Sequence, residues 1–217
     1  MNITSTHYLL INPDQYQPYL SDIETKLGLL NTNRVTFKNE IHRESRFAIC
    51  HYHIEWNGTQ FKVTYDATKS ERTTNEKKTN TDPGILNCDS IQSVVLQFLK
   101  DIGDSTLKKA EVKLIQTEVF PFIFNPHRDS QFRRLRHIKY LATVLVSSGE
   151  IEGGNMQLFH SENDKIGPFK LIEELSCLPG TGYIVDETPQ IIFHGMKPAL
   201  KAGNNAHRAA LLLRFFN

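Results

Sequence analysis

Two imidazoles and a carboxylate stand out in the C-terminal half of this 217-residue chain. His127 and Asp129 close the segment Phe122-Ile-Phe-Asn-Pro-His127-Arg-Asp129, and His194 sits in Ile191-Ile-Phe-His194-Gly. Two neutral imidazoles and one carboxylate on one face of a metal leave the opposite face open, an arrangement suited to non-haem iron(II). Residues two apart in an extended chain point the same way, so His127 and Asp129 can reach one ion together. The third ligand must come from another strand, and His194 follows two β-branched residues and a Phe. Arg208 lies fourteen residues after His194, room for one turn and a return strand. A guanidinium there can grip a carboxylate through two parallel hydrogen bonds. Arg214, six residues further, points to the same face of that strand and is the alternative grip.

A His-x-carboxylate pair alone carries little, because His42-Arg-Glu44, His53-Ile-Glu55 and His160-Ser-Glu162 have the same form. Context separates them. His127 ends an apolar run, Val119 to Phe124, closed by Asn125-Pro126, and a series of strands and turns follows it in register. Cys50-His-Tyr-His53 is the rival cluster, with His51, His53 and Glu55 on one face of a strand. The Asn57-Gly58 hairpin that follows at once makes this the polar face of an antiparallel ribbon.

The elements that must position these groups fall into two halves. In residues 1–109 we expect a short strand at 7–11 and a helix from Tyr16 to Leu30. Leu20, Ile23, Leu27 and Leu30 recur along that helix, with Ser21 or Asp22 near its start. Strands follow at 34–37, 45–55 and 61–65, then a second helix from Asp89 to Leu99 capped by Asp89 or Ser90. Between them, residues 68–83 are polar and charged, the composition of a mobile loop or lid. From Ala110 to the end we expect eight strands: 112–117, 119–124, 138–146, 156–159, 169–172, 182–185, 190–194 and 209–216. Gly153-Gly154 and Pro179-Gly180 read as reversals. This is a mainly β, single-domain chain: a double-stranded β-helix (jelly roll) core over 110–217 with a few flanking helices.

Taken together, His127-Arg-Asp129, Glu152-Gly-Gly-Asn155, Leu178-Pro-Gly180, Phe193-His194-Gly-Met-Lys-Pro198 and Arg208 resemble a known family. They are similar to the iron(II)- and 2-oxoglutarate-dependent dioxygenases, in particular the bacterial group with the free L-isoleucine hydroxylases. The resemblance covers about residues 110–217. It implies Fe(II) on His127, Asp129 and His194, with 2-oxoglutarate as cosubstrate anchored by Arg208, and O2 as co-reactant. Gln116 matches a glutamine that the group carries on the preceding strand. The implied reaction is hydroxylation of an unactivated C–H bond of a small polar substrate, foremost a free L-amino acid. A peptide or protein side chain and a non-catalytic jelly-roll binding module are the alternatives. A nucleic-acid demethylase rests only on Arg133, Arg134, Arg136, His137 and Lys139. Thr143 and Asn155 are further pocket candidates.

Composition bounds the partners. Lys and Arg total 25 against 24 Asp and Glu, a net charge of +1, so the basic excess of a dedicated nucleic-acid binder is missing. Three widely spaced cysteines (Cys50, Cys88, Cys177) form no disulfide framework or zinc spacing and point to a reducing, cytoplasmic setting. No signal peptide or membrane span is expected from the apolar pattern.

Overall fold

The computed structural model describes residues 3–30, 32–36, 42–67, 83–118, 121–131, 137–162 and 168–217. Its helices are α1 (Ile3–Thr6), α2 (Pro13–Leu27) and α3 (Asp89–Ile102). The N-terminal strands are β1 (Tyr8–Leu10), β2 (Thr32–Thr36), β3 (His42–Trp56) and β4 (Phe61–Tyr65). The C-terminal half supplies β5 (Lys109–Thr117), β6 (Phe122–His127), β7 (Tyr140–Gly149), β8 (Ile151–Gly153), β9 (Met156–His160), β10 (Lys170–Leu175), β11 (Gly182–Asp186), β12 (Ile192–Lys201) and β13 (His207–Phe216). All eight expected core strands are present.

Two antiparallel sheets face one another. The larger runs β1-β11-β7-β13-β5-β3-β2, with β4 on β3; the smaller runs β10-β9-β12-β6, with β8 on β12. This is the jelly roll read from the strand series. Alternation along β13 divides its work. Ala209, Leu211, Leu213 and Phe215 point outward into the main core, where Tyr16, Leu20 and Ile23 of α2 and Ile91, Val94 and Phe98 of α3 cover the sheet. The Tyr16 and Phe98 rings meet at 4.7 Å between centroids. Burying each such side chain contributes about 1.5–3 kcal/mol relative to leaving it exposed. The opposite face of β13 carries Arg208, Ala210, Leu212 and Arg214 and looks into the space between the sheets. There Ala210 joins a smaller cluster with Leu145, Met156, Leu158, Tyr183, Val185 and Ile192.

Local differences from the sequence reading have local causes. Helix α2 starts at Pro13, not Tyr16, because Asn12 caps it: its side chain accepts from the Asp14 amide at 3.2 Å. Proline at the first helical position loses no intrahelical bond. Helix α3 follows Cys88, which makes no side-chain capping bond, and stops at Gly103 in the left-handed region (φ 71°). Strand β12 continues past His194 to Lys201, since its second half pairs with β8. The Gly153-Gly154 reversal has φ of 77° and 74°, and a Cβ on Gly153 would lie 2.2 Å from the Pro198 carbonyl. The expected loop falls outside the described residues over 68–82, as do Arg133, Arg134 and Arg136.

Candidate metal centre

The site begins with a cross-strand pair. In the β12–β6 register His194 stands directly opposite His127, and residues so placed bring their side chains together on one face. The ring centroids are 4.2 Å apart. Gly195 makes this approach possible: a Cβ there would sit 2.9 Å from the Phe124 carbonyl, so any other residue would force β6 away from β12. Asp129 does not continue the strand as the alternation argument assumed. It opens a 3-10 turn, Asp129–Gln131, immediately after β6. Glu187, just past β11, anchors this turn: its Oε2 accepts from both the amide and the hydroxyl of Ser130.

The turn brings Asp129 Oδ1 to 3.7 Å from His127 Nε2 and 3.7 Å from His194 Nε2. One ligand atom from each of the three residues lies within 4.8 Å of the others. An ion about 2.1 Å from three donors needs them roughly 3–3.6 Å apart, so small side-chain adjustments close the set. The donors also suit a metal chemically. His127 Nδ1 lies 2.9 Å from the Asn125 carbonyl; donating its proton there leaves the Nε2 lone pair facing Asp129. Burial, above all, pushes His194 down to about 3 and keeps its ring neutral. Burial pushes the Asp129 carboxyl up, but Arg214 and the two imidazoles outweigh it and hold the group ionised. Among the described residues this is the one such group of three ligands.

Arg214 is not available as a carboxylate anchor for another molecule. It is buried; its Nε donates to Asp129 Oδ2 at 2.6 Å and its Nη1 donates to Glu111 Oε1. Arg208 contrasts with it. On the same inward face of β13, beside Thr117 and Ser148, its Nε is buried without a hydrogen-bond partner. Tyr183 lies between the two regions. Its ring is 6.2 Å from His194, and burial pushes its phenol up while the adjacent Thr143 hydroxyl and, to a lesser degree, Arg208 pull it back. The neighbouring Thr143 hydroxyl is also buried without a partner. An orphaned guanidinium N–H and hydroxyl in one buried region are what a bound carboxylate would satisfy.

The remaining candidates lie elsewhere. Gln116 shares a register row with Ala209 and Arg46, on the face of β5 opposite Arg208's, and its amide donates to Glu118 at 2.9 Å. Asn155 belongs to an exposed network with Glu174, Gln157 and Lys197. The rival cluster separates: His51 faces Glu111 and His53 faces Asp66. Lys139 is paired with Asp104 at 2.6 Å. Sequence reasoning missed Glu111, Tyr183 and Glu187. Tyr183 sits at an inward position of an expected strand, so alternation flagged its face; Glu111 lies one residue before the expected strand 112–117, which begins earlier, at Lys109, and nothing local marked Glu187.

No family model and no curated protein matches the chain. Solved structures do. A bsmA homologue from Methylobium petroleophilum PM1 is 12% identical, with TM-score 0.68 over 99% of this chain and 90% of that one. The Fe(II)/α-ketoglutarate-dependent dioxygenase TqaL gives 12% identity and TM-score 0.63, covering 99% and 83%. A Pseudomonas putida prolyl-4-hydroxylase gives 13% and 0.58, covering 99% and 95%. At such identities the likeness establishes the fold: the chain shares the jelly-roll fold of these three proteins, with a His-Asp-His set able to hold a metal. No described helix is long and apolar enough to cross a membrane.

Proposed function

We propose that the protein is an iron(II)- and 2-oxoglutarate-dependent dioxygenase that hydroxylates an unactivated C–H bond of a small polar substrate, foremost a free L-amino acid. The observation that carries this reading is one oxygen of Asp129 equidistant from two imidazole nitrogens, with Arg208 unpaired on the same inner wall. His127, Asp129 and His194 would hold the iron. Bound there with 2-oxoglutarate and O2, it supplies the oxidation, the cosubstrate leaving as succinate and carbon dioxide.

The protein's own share is placement and dryness. Arg208 grips the cosubstrate's far carboxylate, helped by the buried hydroxyls of Tyr183 and Thr143, where low dielectric strengthens the pair. Asn125 fixes the His127 tautomer, and Arg214 turns one oxygen of Asp129 away from the metal. Gln116, on the other face of β5, has no contact with the cosubstrate in this reading.

The test is anaerobic loading with Fe(II), addition of 2-oxoglutarate and air, and mass spectrometry over a panel of free amino acids. One product heavier by a single oxygen, formed with stoichiometric succinate, is the expected result. Similarity to a prolyl-4-hydroxylase fold favours a second reading, so the panel includes proline-containing peptides. Absence of 2-oxoglutarate turnover, coupled or uncoupled, would leave a binding module.

A further inference from the structure

We infer that Glu111 is a positioning residue for the metal centre, holding Arg214 so that Asp129 can offer the metal only one oxygen. The inference rests on the reading of His127, Asp129 and His194 as metal ligands.

The geometry is a line of charges along one row of the larger sheet. Arg214 on β13 stands opposite Glu111 on β5, which stands opposite His51 on β3. All three therefore project from the same inner face. Arg214 spans two carboxylates, its Nε on Asp129 Oδ2 and its Nη1 on Glu111 Oε1. Glu111 Oε2 in turn lies 3.6 Å from His51 Nε2, so the carboxylate is held from behind. The consequence falls on Asp129. Its Oδ2 is taken by the guanidinium, while Oδ1 alone faces both imidazoles. A carboxylate divided in this way is a one-oxygen ligand. A swing of Arg214 away from Oδ2 would let both oxygens close on the ion and block a position that a chelating cosubstrate needs. Glu111 prevents that swing: a guanidinium gripped by anions on two of its sides has no free direction to rotate. The arrangement also keeps a buried guanidinium compensated without drawing charge from the ligand alone.

Two near-isosteric variants separate position from charge. Glu111→Gln keeps an acceptor for Nη1 and loses the charge; Glu111→Asp keeps the charge and withdraws the acceptor by one methylene. The probe is Co(II) alone, titrated anaerobically and followed by visible absorption, whose intensity reports coordination number. Loss of a partner behind a metal ligand commonly weakens metal binding about 10- to 100-fold. We expect Glu111→Asp to bind Co(II) at least about tenfold more weakly, with an altered band, and Glu111→Gln to stay close to the unmodified protein in both. Thermal melts are run on the same samples. A merely structural role would lower the melting temperature and leave the band of the folded protein unchanged. Unaltered Co(II) affinity and band in Glu111→Asp, or equal weakening in both variants, would overturn the inference. If the unmodified protein fails to bind Co(II), or His194→Ala binds it equally well, the ligand assignment itself is what fails.

Discussion

Replacing Asp129 by Asn separates the structural from the metal-binding role of one side chain. Asn has the same shape and still offers Arg214 an oxygen, but a neutral one. The 2.6 Å bond to Arg214 Nε then keeps its charged donor but loses its charged acceptor, and falls toward the strength of a neutral bond. Bonds to charged groups contribute about 1.5–3 kcal/mol and neutral ones about 0.5–1.5, so the metal-free variant should lose about 1 kcal/mol. For a chain of this size that is a fall of about 2–4 °C in Tm. The loss stays small because Glu111 still pairs with the buried guanidinium; a buried charge stripped of its only partner costs about 3–5 kcal/mol. The metal effect is larger. Ligand at about 100 times its Kd stabilises the folded state by about 2.7 kcal/mol. The unmodified protein should therefore melt about 5–10 °C higher with Co(II) or Fe(II) under argon. Asp129→Asn should show almost none of that rise and make no succinate from 2-oxoglutarate. Differential scanning fluorimetry with and without metal measures both effects. A metal-induced rise in the variant equal to the unmodified protein's would refute the assignment of this carboxylate as a ligand.

Other substitutions probe the surroundings. Arg208→Ala should raise the KM for 2-oxoglutarate about 10- to 100-fold, the scale of a lost buried charge pair, while Co(II) affinity stays unchanged; an unaltered KM in steady-state kinetics would remove Arg208 from the cosubstrate site. Gly195→Ala places a methyl 2.9 Å from the Phe124 carbonyl, so β6 must shift and carry His127 with it. We expect about 1–3 kcal/mol lower stability by urea unfolding together with weaker Co(II) binding. Acid should destabilise the metal-free protein. His194 is held at about 3 when folded against about 6.5 when unfolded, so between those values the unfolded chain binds the extra proton and stability falls as pH drops. Asp129, held below its usual range, acts with the same sign. Urea midpoints should show a loss of about 2 kcal/mol from pH 6.5 to pH 5, and a flat profile there would mean that His194 is not buried as a neutral ring.

Much of the fold was legible because it is written in short-range signals. Apolar alternation marked the strands of the jelly roll, and Ile91, Val94, Val95, Phe98 and Leu99 marked the buried stripe of α3, all of them covered in the structure. The His127, Asp129 and His194 set, which the structure brings together, was legible through residue type and context. What the sequence hid depends on register and on turns. Nothing in His127-Arg-Asp129 says that the strand ends at its first residue and that a 3-10 turn delivers the third. Arg214 was read as a second possible cosubstrate anchor; only the β13–β5 pairing reveals that Glu111 stands beside it and that Asp129 claims its other side. Gln116 illustrates the same limit: one residue of parity decides whether a strand polar group looks toward the space between the sheets or toward the helices. Glu187 acts from a loop on a turn 57 residues earlier in the chain, a contact without periodicity to reveal it.

The division of the larger sheet into two unlike faces has an evolutionary consequence. Most of the buried apolar mass lies outside it, under α2 and α3, while the wall toward the smaller sheet holds only a modest apolar cluster among its charged and hydroxylic groups. Folding free energy is thus lodged away from His127, Asp129 and His194. Exchanges on that inner wall at positions such as Ile49, Lys113 or Ile115 should cost little stability, so its lining can change without the scaffold first being rebuilt.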